Sequence, residues 1–256
     1  MLETMTRKMH AKSAALLVSL ESSLDRIMQL WLLLAGLAAA LRIALSPIPA
    51  GLEPATFAPY LLLIFAPVAS MVLALRWFAD GDRLAQPTVR LARIGSWRPV
   101  GRSEAMRHAL YGAGGIMVSL LVGMLLNVPV RAAEYLAAMP ALSGPVPAWL
   151  ATLHLMMTID LVVLTSLYAI AFVAALRRVP SFPRLLVAIW LLDLAMQFAT
   201  AQMVAGMPDL PANVAAALQS LLAGNVNKVL IGIALWLPYL LLSKRVNVTY
   251  RNRVPA

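Results

Sequence analysis

The chain has 256 residues, 61% of them hydrophobic and 12% charged, with a mean hydropathy of +0.81. A soluble domain is about 45 to 50% apolar and about 25% charged, so this composition excludes an ordinary soluble globule and leaves no length for a sizeable one beside a membrane domain. The absence of cysteine excludes disulfides, thiolate metal sites and cysteine nucleophiles, and the net charge of +10 sits on residues placed to set membrane topology rather than on a nucleic-acid-binding face.

Residues 1–26 are polar and basic (Arg7, Lys8, Lys12, Arg26), with Leu17, Leu20, Leu24 and Ile27 at helical spacing. This pattern predicts an amphipathic segment lying on the membrane surface. A cleaved secretory signal is not expected, because the charged lead is long and Arg42 interrupts the apolar run before any cleavage site.

Six apolar runs follow, at about 27–46, 57–77, 109–128, 150–174, 185–206 and 226–243. Each approaches or exceeds the roughly 20 residues that cross a hydrocarbon core about 30 Å thick. The fold class is therefore all-α: a polytopic membrane bundle of six transmembrane helices. Pro67, in the middle of the second span, predicts a kink. In the third span Gly115, Ser119 and Gly123 recur every four residues, a small-residue stripe suited to close helix packing. Gly112-Ala-Gly-Gly115 belongs to the same helix in this reading.

All but three of the 21 Lys and Arg residues fall before the first span, in 76–107, in 177–184 or in 244–253. The exceptions are Arg42, Arg131 and Lys228. Cytoplasmic segments are the ones enriched in Lys and Arg, so both termini are expected in the cytoplasm of a bacterial cell, with the protein in the inner membrane. The chain then divides into two N-terminal spans (27–77), a basic cytoplasmic loop (78–107), a four-helix unit (108–250) and a short tail (251–256). The basic loop is expected to meet anionic lipid headgroups. With only Phe78 and Trp97 as aromatics it carries no nucleic-acid-binding module.

The last span ends in Trp236-x-Pro238-Tyr239, followed by Ser243-x-Arg245-Val246 and Thr249-Tyr250. This ending resembles the terminal signature of an uncharacterised bacterial membrane family, domain of unknown function 2569. The resemblance implies a four-span unit with a basic link ending in Phe-Pro before its third span. Phe182-Pro183 fits that link, so the likeness would cover roughly residues 95–250, with Ile94-Gly95-Ser96-Trp97 as an echo of the family's opening. It implies no activity. On physical grounds, Trp236 and Tyr239 suit an interfacial anchor and Pro238 a kink, while Ser243, Arg245 and Thr249 serve either that anchoring or a docking site for a partner or anion.

Two lone carboxylates mark the interior of the spans. Asp160 lies about 15 Å below the outer end of its run and Asp193 about 12 Å from the inner surface, at 1.5 Å per residue. An ionised Asp at such depth costs about 2.5 to 3.5 kcal/mol on insertion scales, so it faces protein or water and points to function. Arg42 and Lys228, each about 6 Å inside the outer boundary, are close enough to snorkel to water; on a purely structural reading each Asp hydrogen-bonds within the bundle or pairs with one of these two. With His154, Asn127, Gln202, Asn225 and Asn227 they outline an outer vestibule, and Gln197 and Thr200 extend a polar stripe from Asp193.

Two functions follow: an accessory or scaffold subunit whose polar positions are completed by a partner's spans, or a small proton- or cation-coupled transporter working through Asp160 and Asp193. Enzyme chemistry is not expected. His10, His108 and His154 are scattered, the zinc-protease, nucleophile-elbow and phosphate-loop motifs do not occur, and the two Asp sit at different heights. No cofactor or metal is expected.

Overall fold

The computed structural model describes residues 2–46, 54–89, 91, 95–208 and 210–256, with the backbone alone at 2–11 and 55. The predicted outer loop 47–53 and two of the basic residues in 78–107, Arg90 and Arg93, lie outside the described residues, as do the side chains of Arg7, Lys8 and His10. Among the described residues the architecture is nearly all helical. α1 (Leu2–Ser22) leads into α2 (Leu24–Ala44), followed by α3 (Pro54–Trp77), strand β1 (Trp97–Pro99), α4 (Arg102–Arg107), α5 (Ile116–Ala138), α6 (Ala148–Leu176), α7 (Phe182–Ala205), α8 (Ala212–Leu242), α9 (Lys244–Arg251) and strand β2 (Arg253–Pro255). Six helices, α2, α3 and α5 to α8, are long and apolar enough to cross a bilayer.

Local chemistry sets many of the boundaries. Proline stands just before or within the first turn of α3, α6, α7 and α8 (Pro54, Pro147, Pro183, Pro211), where its missing N–H is no loss. Ser243 caps α9 by accepting a hydrogen bond from the Val246 N–H, and Asn252 ends that helix in the left-handed region. Helix α3 runs through Pro59 and Pro67, and α8 through Pro238, as single helices.

The third span departs from expectation in position. It is predicted over 109–128 but observed over 116–138. Residues 108–115 are an irregular loop, with Gly112 at φ 104° and Gly115 at φ 69°, conformations that disfavour any side chain. The Gly112–Gly115 run therefore starts the helix rather than packing inside it. At the other end the helix continues through Pro129, so Arg131 and Glu134, read from sequence as outer-loop residues, lie in the span. Membrane helices tolerate such a proline. The stripe correction follows. Gly115 precedes the helix, Ser119 is exposed, and a Cβ on Gly123 would meet nothing within 4 Å, so Ser119 and Gly123 form no close-packed stripe on this helix within the chain. Residues 213–222, which their position in an outer loop lets one read as a short interfacial helix, are part of the first third of α8.

Helix α6 is the hub, packed against α3, α5 and α7. Its C-terminal half contributes an unbroken buried stretch from Ala171 to Leu176, joined in the main core by Met117, Leu121, Phe182 and Leu186. Helix α2 packs on α3, where the Trp31 indole N–H donates to the Ile64 carbonyl at 2.9 Å. Outward-facing Leu30, Leu33, Leu37, Leu61, Phe65, Ile231 and Leu235 are exposed, an apolar belt that fits contact with a bilayer.

The predicted segments on the basic side gather at one end of the bundle. A Cβ on Gly81, after α3, would meet the Val179 side chain of the α6–α7 link. Arg178 of that link, at φ 56°, stacks over Tyr111 with its guanidinium carbon 5.6 Å from the ring centroid. Tyr250 donates to the Ala175 carbonyl at 2.8 Å. The opposite end is joined by Arg42, which donates to the Met139 carbonyl at 2.9 Å, and by Ser46, which donates to Ala141 at 3.1 Å. This contact pattern agrees with six alternating crossings.

The C-terminal tail is not loose. β2 pairs antiparallel with β1, Arg98 opposite Val254, and α9 is buried from Val246 to Arg251. Burial raises the Tyr250 phenol well above its usual range, keeping it a neutral donor. Removing that hydroxyl in Tyr250→Phe leaves the Ala175 carbonyl with only its backbone donor, the Arg178 N–H at 3.2 Å, and is expected to cost about 1 kcal/mol, read as a lower thermal unfolding temperature in detergent.

Candidate functional site

The two intramembrane acids meet at a residue that hydropathy hides. Counted from the basic end of each helix at about 1.5 Å per residue, Asp193 stands about 17 Å along α7, Arg131 about 22 Å along α5 and Asp160 about 24 Å along α6. One guanidinium, placed between the two carboxylates in height, reaches both. Arg131 Nη1 donates to Asp160 Oδ2 at 3.1 Å, and Nη2 makes a short contact with Asp193 Oδ2. Its Nε donates to Asn127 Oδ1 at 3.0 Å, one turn back on α5. The guanidinium also faces the Tyr168 ring, 5.9 Å from the centroid.

Gln197 closes the group from the other side. Its amide nitrogen lies 3.3 Å from Asp160 Oδ1 and 3.4 Å from Asp193 Oδ1. Asp193 is fully buried, and the Arg131 and Asp160 side chains retain 12% and 11% of their exposure. The height difference that seemed to separate the two Asp is taken up by the length of Arg131 and the one-turn offset of Gln197.

A second pair lies beside the first. Lys228 on α8 contacts Glu134 on α5 closely and donates to Asn225 at 3.4 Å. It bridges a gap between α5 and α8 that holds two cavities. One, of about 170 Å³, is walled by Asn127, Arg131, Tyr168, Asp193 and Lys228, with Gly123 and Gly232 among the lining residues. The other, of about 430 Å³, reaches Arg131, Asp160, Tyr135 and Lys228. Arg131, Glu134, Asn225 and Lys228 line both. The two glycines leave this space open, since a Cβ on either would meet nothing within 4 Å.

Other predicted residues fall elsewhere. His154 stands apart from the group, beside Tyr135, whose hydroxyl lies 3.2 Å from His154 Nε2 and 2.8 Å from Thr158 Oγ1. Arg42 is held by the Met139 carbonyl, and Lys228 by Glu134, so neither is the counter-ion of an Asp. Thr200 hydroxyl donates back to the Met196 carbonyl on its own helix. Gln202 and Asn227 line neither cavity.

The C-terminal signature forms a separate internal clasp. Arg245 Nη1 donates to the Leu110 and Gly112 carbonyls at 3.2 and 3.4 Å, and the Gly112 N–H donates to Thr249 Oγ1 at 3.0 Å. Ser243 caps α9, and Trp236 meets Tyr239 edge-on at 6.0 Å. These residues fasten α9 to the 108–115 loop, an intramolecular role that neither the anchor nor the docking reading anticipated for Arg245 and Thr249.

A family model described as "Protein of unknown function (DUF2569)" matches residues 110–251. The match opens at 110 rather than near 95, so Ile94 to Trp97 falls outside it, and α2 and α3 precede the matched unit. Comparison with curated proteins and with solved structures found no match.

Arg131→Ala would leave two buried carboxylates facing one another without their cation. It is expected to destabilise the protein by about 3 kcal/mol or more. In an Asp160→Asn/Asp193→Asn background the same substitution should cost markedly less, a non-additivity that thermal unfolding of the four purified variants measures.

Proposed function

This chain belongs to the DUF2569 family, and on that footing we propose that it is a bacterial inner-membrane protein that carries a proton or a small cation through the Arg131–Asp160–Asp193 cluster. One observation carries the reading: three carboxylates and two cations line the same pair of cavities between α5 and α8. Fully ionised, Asp160, Asp193 and Glu134 exceed Arg131 and Lys228 by one negative charge. In a medium where an uncompensated charge is costly, that excess favours one more proton or monovalent cation. Arg131 holds both Asp through their Oδ2 atoms, and the bound proton or cation passes between the Oδ1 atoms that share the Gln197 amide. Lys228 and Glu134 brace α8 against α5 at the mouth of the cavities, where breaking and remaking the contact would alter access.

In this reading the basic end of the bundle, with both termini, faces the cytoplasm under the positive-inside rule. Reporter fusions after Arg107, at Arg177 and at the C-terminus should all report the cytoplasmic side, and a fusion at Ser143 the opposite one. No catalytic step is proposed.

An accessory-subunit role is the second reading. The observation favouring it is α8, which packs chiefly on α7 and exposes Leu230, Ile231 and Leu235. Against it, Asp160, Asp193 and Lys228 find their partners in this chain and need none from another.

Purified protein in sealed liposomes separates the two. Under an imposed proton, sodium or potassium gradient, the wild type should give flux above empty liposomes, and Asp160→Asn should return it to that background while Arg131 keeps Asp193. Wild-type protein silent under all three gradients would sink the transport reading.

A further inference from the structure

We infer that the basic end of the bundle carries a binding site for an anionic diacyl phospholipid, in the groove between α1, α5 and the α8–α9 corner. The groove encloses about 830 Å³. Its mouth is lined by Lys12, Lys244 and Arg245, and among the described residues none that lines it is acidic. Lys12 and Lys244 are exposed, while Arg245 is pinned by the Leu110 and Gly112 carbonyls. Gly115 lies against it: an added Cβ would stand 3.5 Å from Arg245 Nε, and the backbone φ of 69° there favours glycine. Ser13, which accepts the Gly115 N–H at 3.0 Å, ties α1 to this wall.

Beyond the mouth the lining turns apolar through Leu16, Ile116 and Val122. Val122 lies about 9 Å further along α5 than Ile116, at 1.5 Å per residue. A cationic rim over an apolar wall, at the end of membrane-spanning helices, matches a phosphate headgroup with its acyl chains directed into the bilayer. A free phosphate would use the rim and leave the apolar wall without a purpose. In the neighbouring 78–107 segment, Arg83, Arg98 and Arg102 are each paired with an acid of that segment (Asp80, Glu104 and Asp82).

Native mass spectrometry of the full chain, offered equal amounts of phosphatidylglycerol and phosphatidylcholine with identical acyl chains, tests the site. The wild type should retain phosphatidylglycerol preferentially. Lys12→Gln/Lys244→Gln should weaken that preference about thirtyfold, and Lys12→Arg/Lys244→Arg should keep it. Val122→Trp, which leaves every charge in place, should reduce retention of the diacyl lipid. Equal retention of the two lipids by the wild type would overturn the inference, as would a preference that survives both the Gln pair and Val122→Trp. Displacement of the lipid by equimolar inorganic phosphate would reassign the rim to a free anion and overturn it equally. None of these substitutions touches the Arg131 cluster, so this outcome is independent of whether the protein carries ions.

Discussion

The structure depends on one guanidinium. Two carboxylates inside a bilayer each carry an insertion cost of about 2.5 to 3.5 kcal/mol at mid-helix, and neither α6 nor α7 supplies a cation of its own at that depth. Arg131 reaches them from a third helix, so the electrostatic requirement joins α5, α6 and α7 at one height. Arginine suits this work better than lysine. Its planar fork offers separate nitrogens to separate acceptors, and its Nε remains for Asn127.

That requirement shapes the helices around it. To bring Arg131 to the depth of Asp160 and Asp193, α5 must start after the Gly112–Gly115 loop and run through Pro129 to Ala138. The loop so created is then fastened from below by Arg245 and Thr249 of α9, whose signature lies more than a hundred residues away in sequence. The clasp and the charge cluster are thus two ends of one helix placement. The residues that read as a family ending hold the basic end of α5, and the residues that read as intramembrane acids hold its middle.

The gap between α5 and α8 is the complementary consequence. Glycines at 123 and 232 keep both facing surfaces bare, and the Lys228–Glu134 pair crosses between them. A tightly packed four-helix unit would have closed over the cluster. Here it remains beside space large enough for water, which leaves Arg131 and Asp160 slightly exposed while Asp193 stays buried.

Much of this was legible in the residues. Length and hydropathy determined six crossings, because a bilayer selects for long apolar helices regardless of how they pack. The placement of arginine and lysine grouped the segments that meet at the basic end, and the cost of a buried charge singled out Asp160 and Asp193. What the residues left open was which cation answers them. A hydropathy reading stops at Pro129 and assigns Arg131 and Glu134 to a loop, although Asn127 and Arg131 at i, i+4 within an otherwise apolar run were a sign of a continuing helix. Only the tertiary structure decided that Arg131, and not Arg42 or Lys228, is the partner, that the glycine run is a loop clasped by α9, and that α8 stands off from α5. The physical reason is common to all three: hydropathy measures whether a segment prefers lipid to water, whereas pairing depends on the depth and rotation of helices relative to one another, which no single segment encodes.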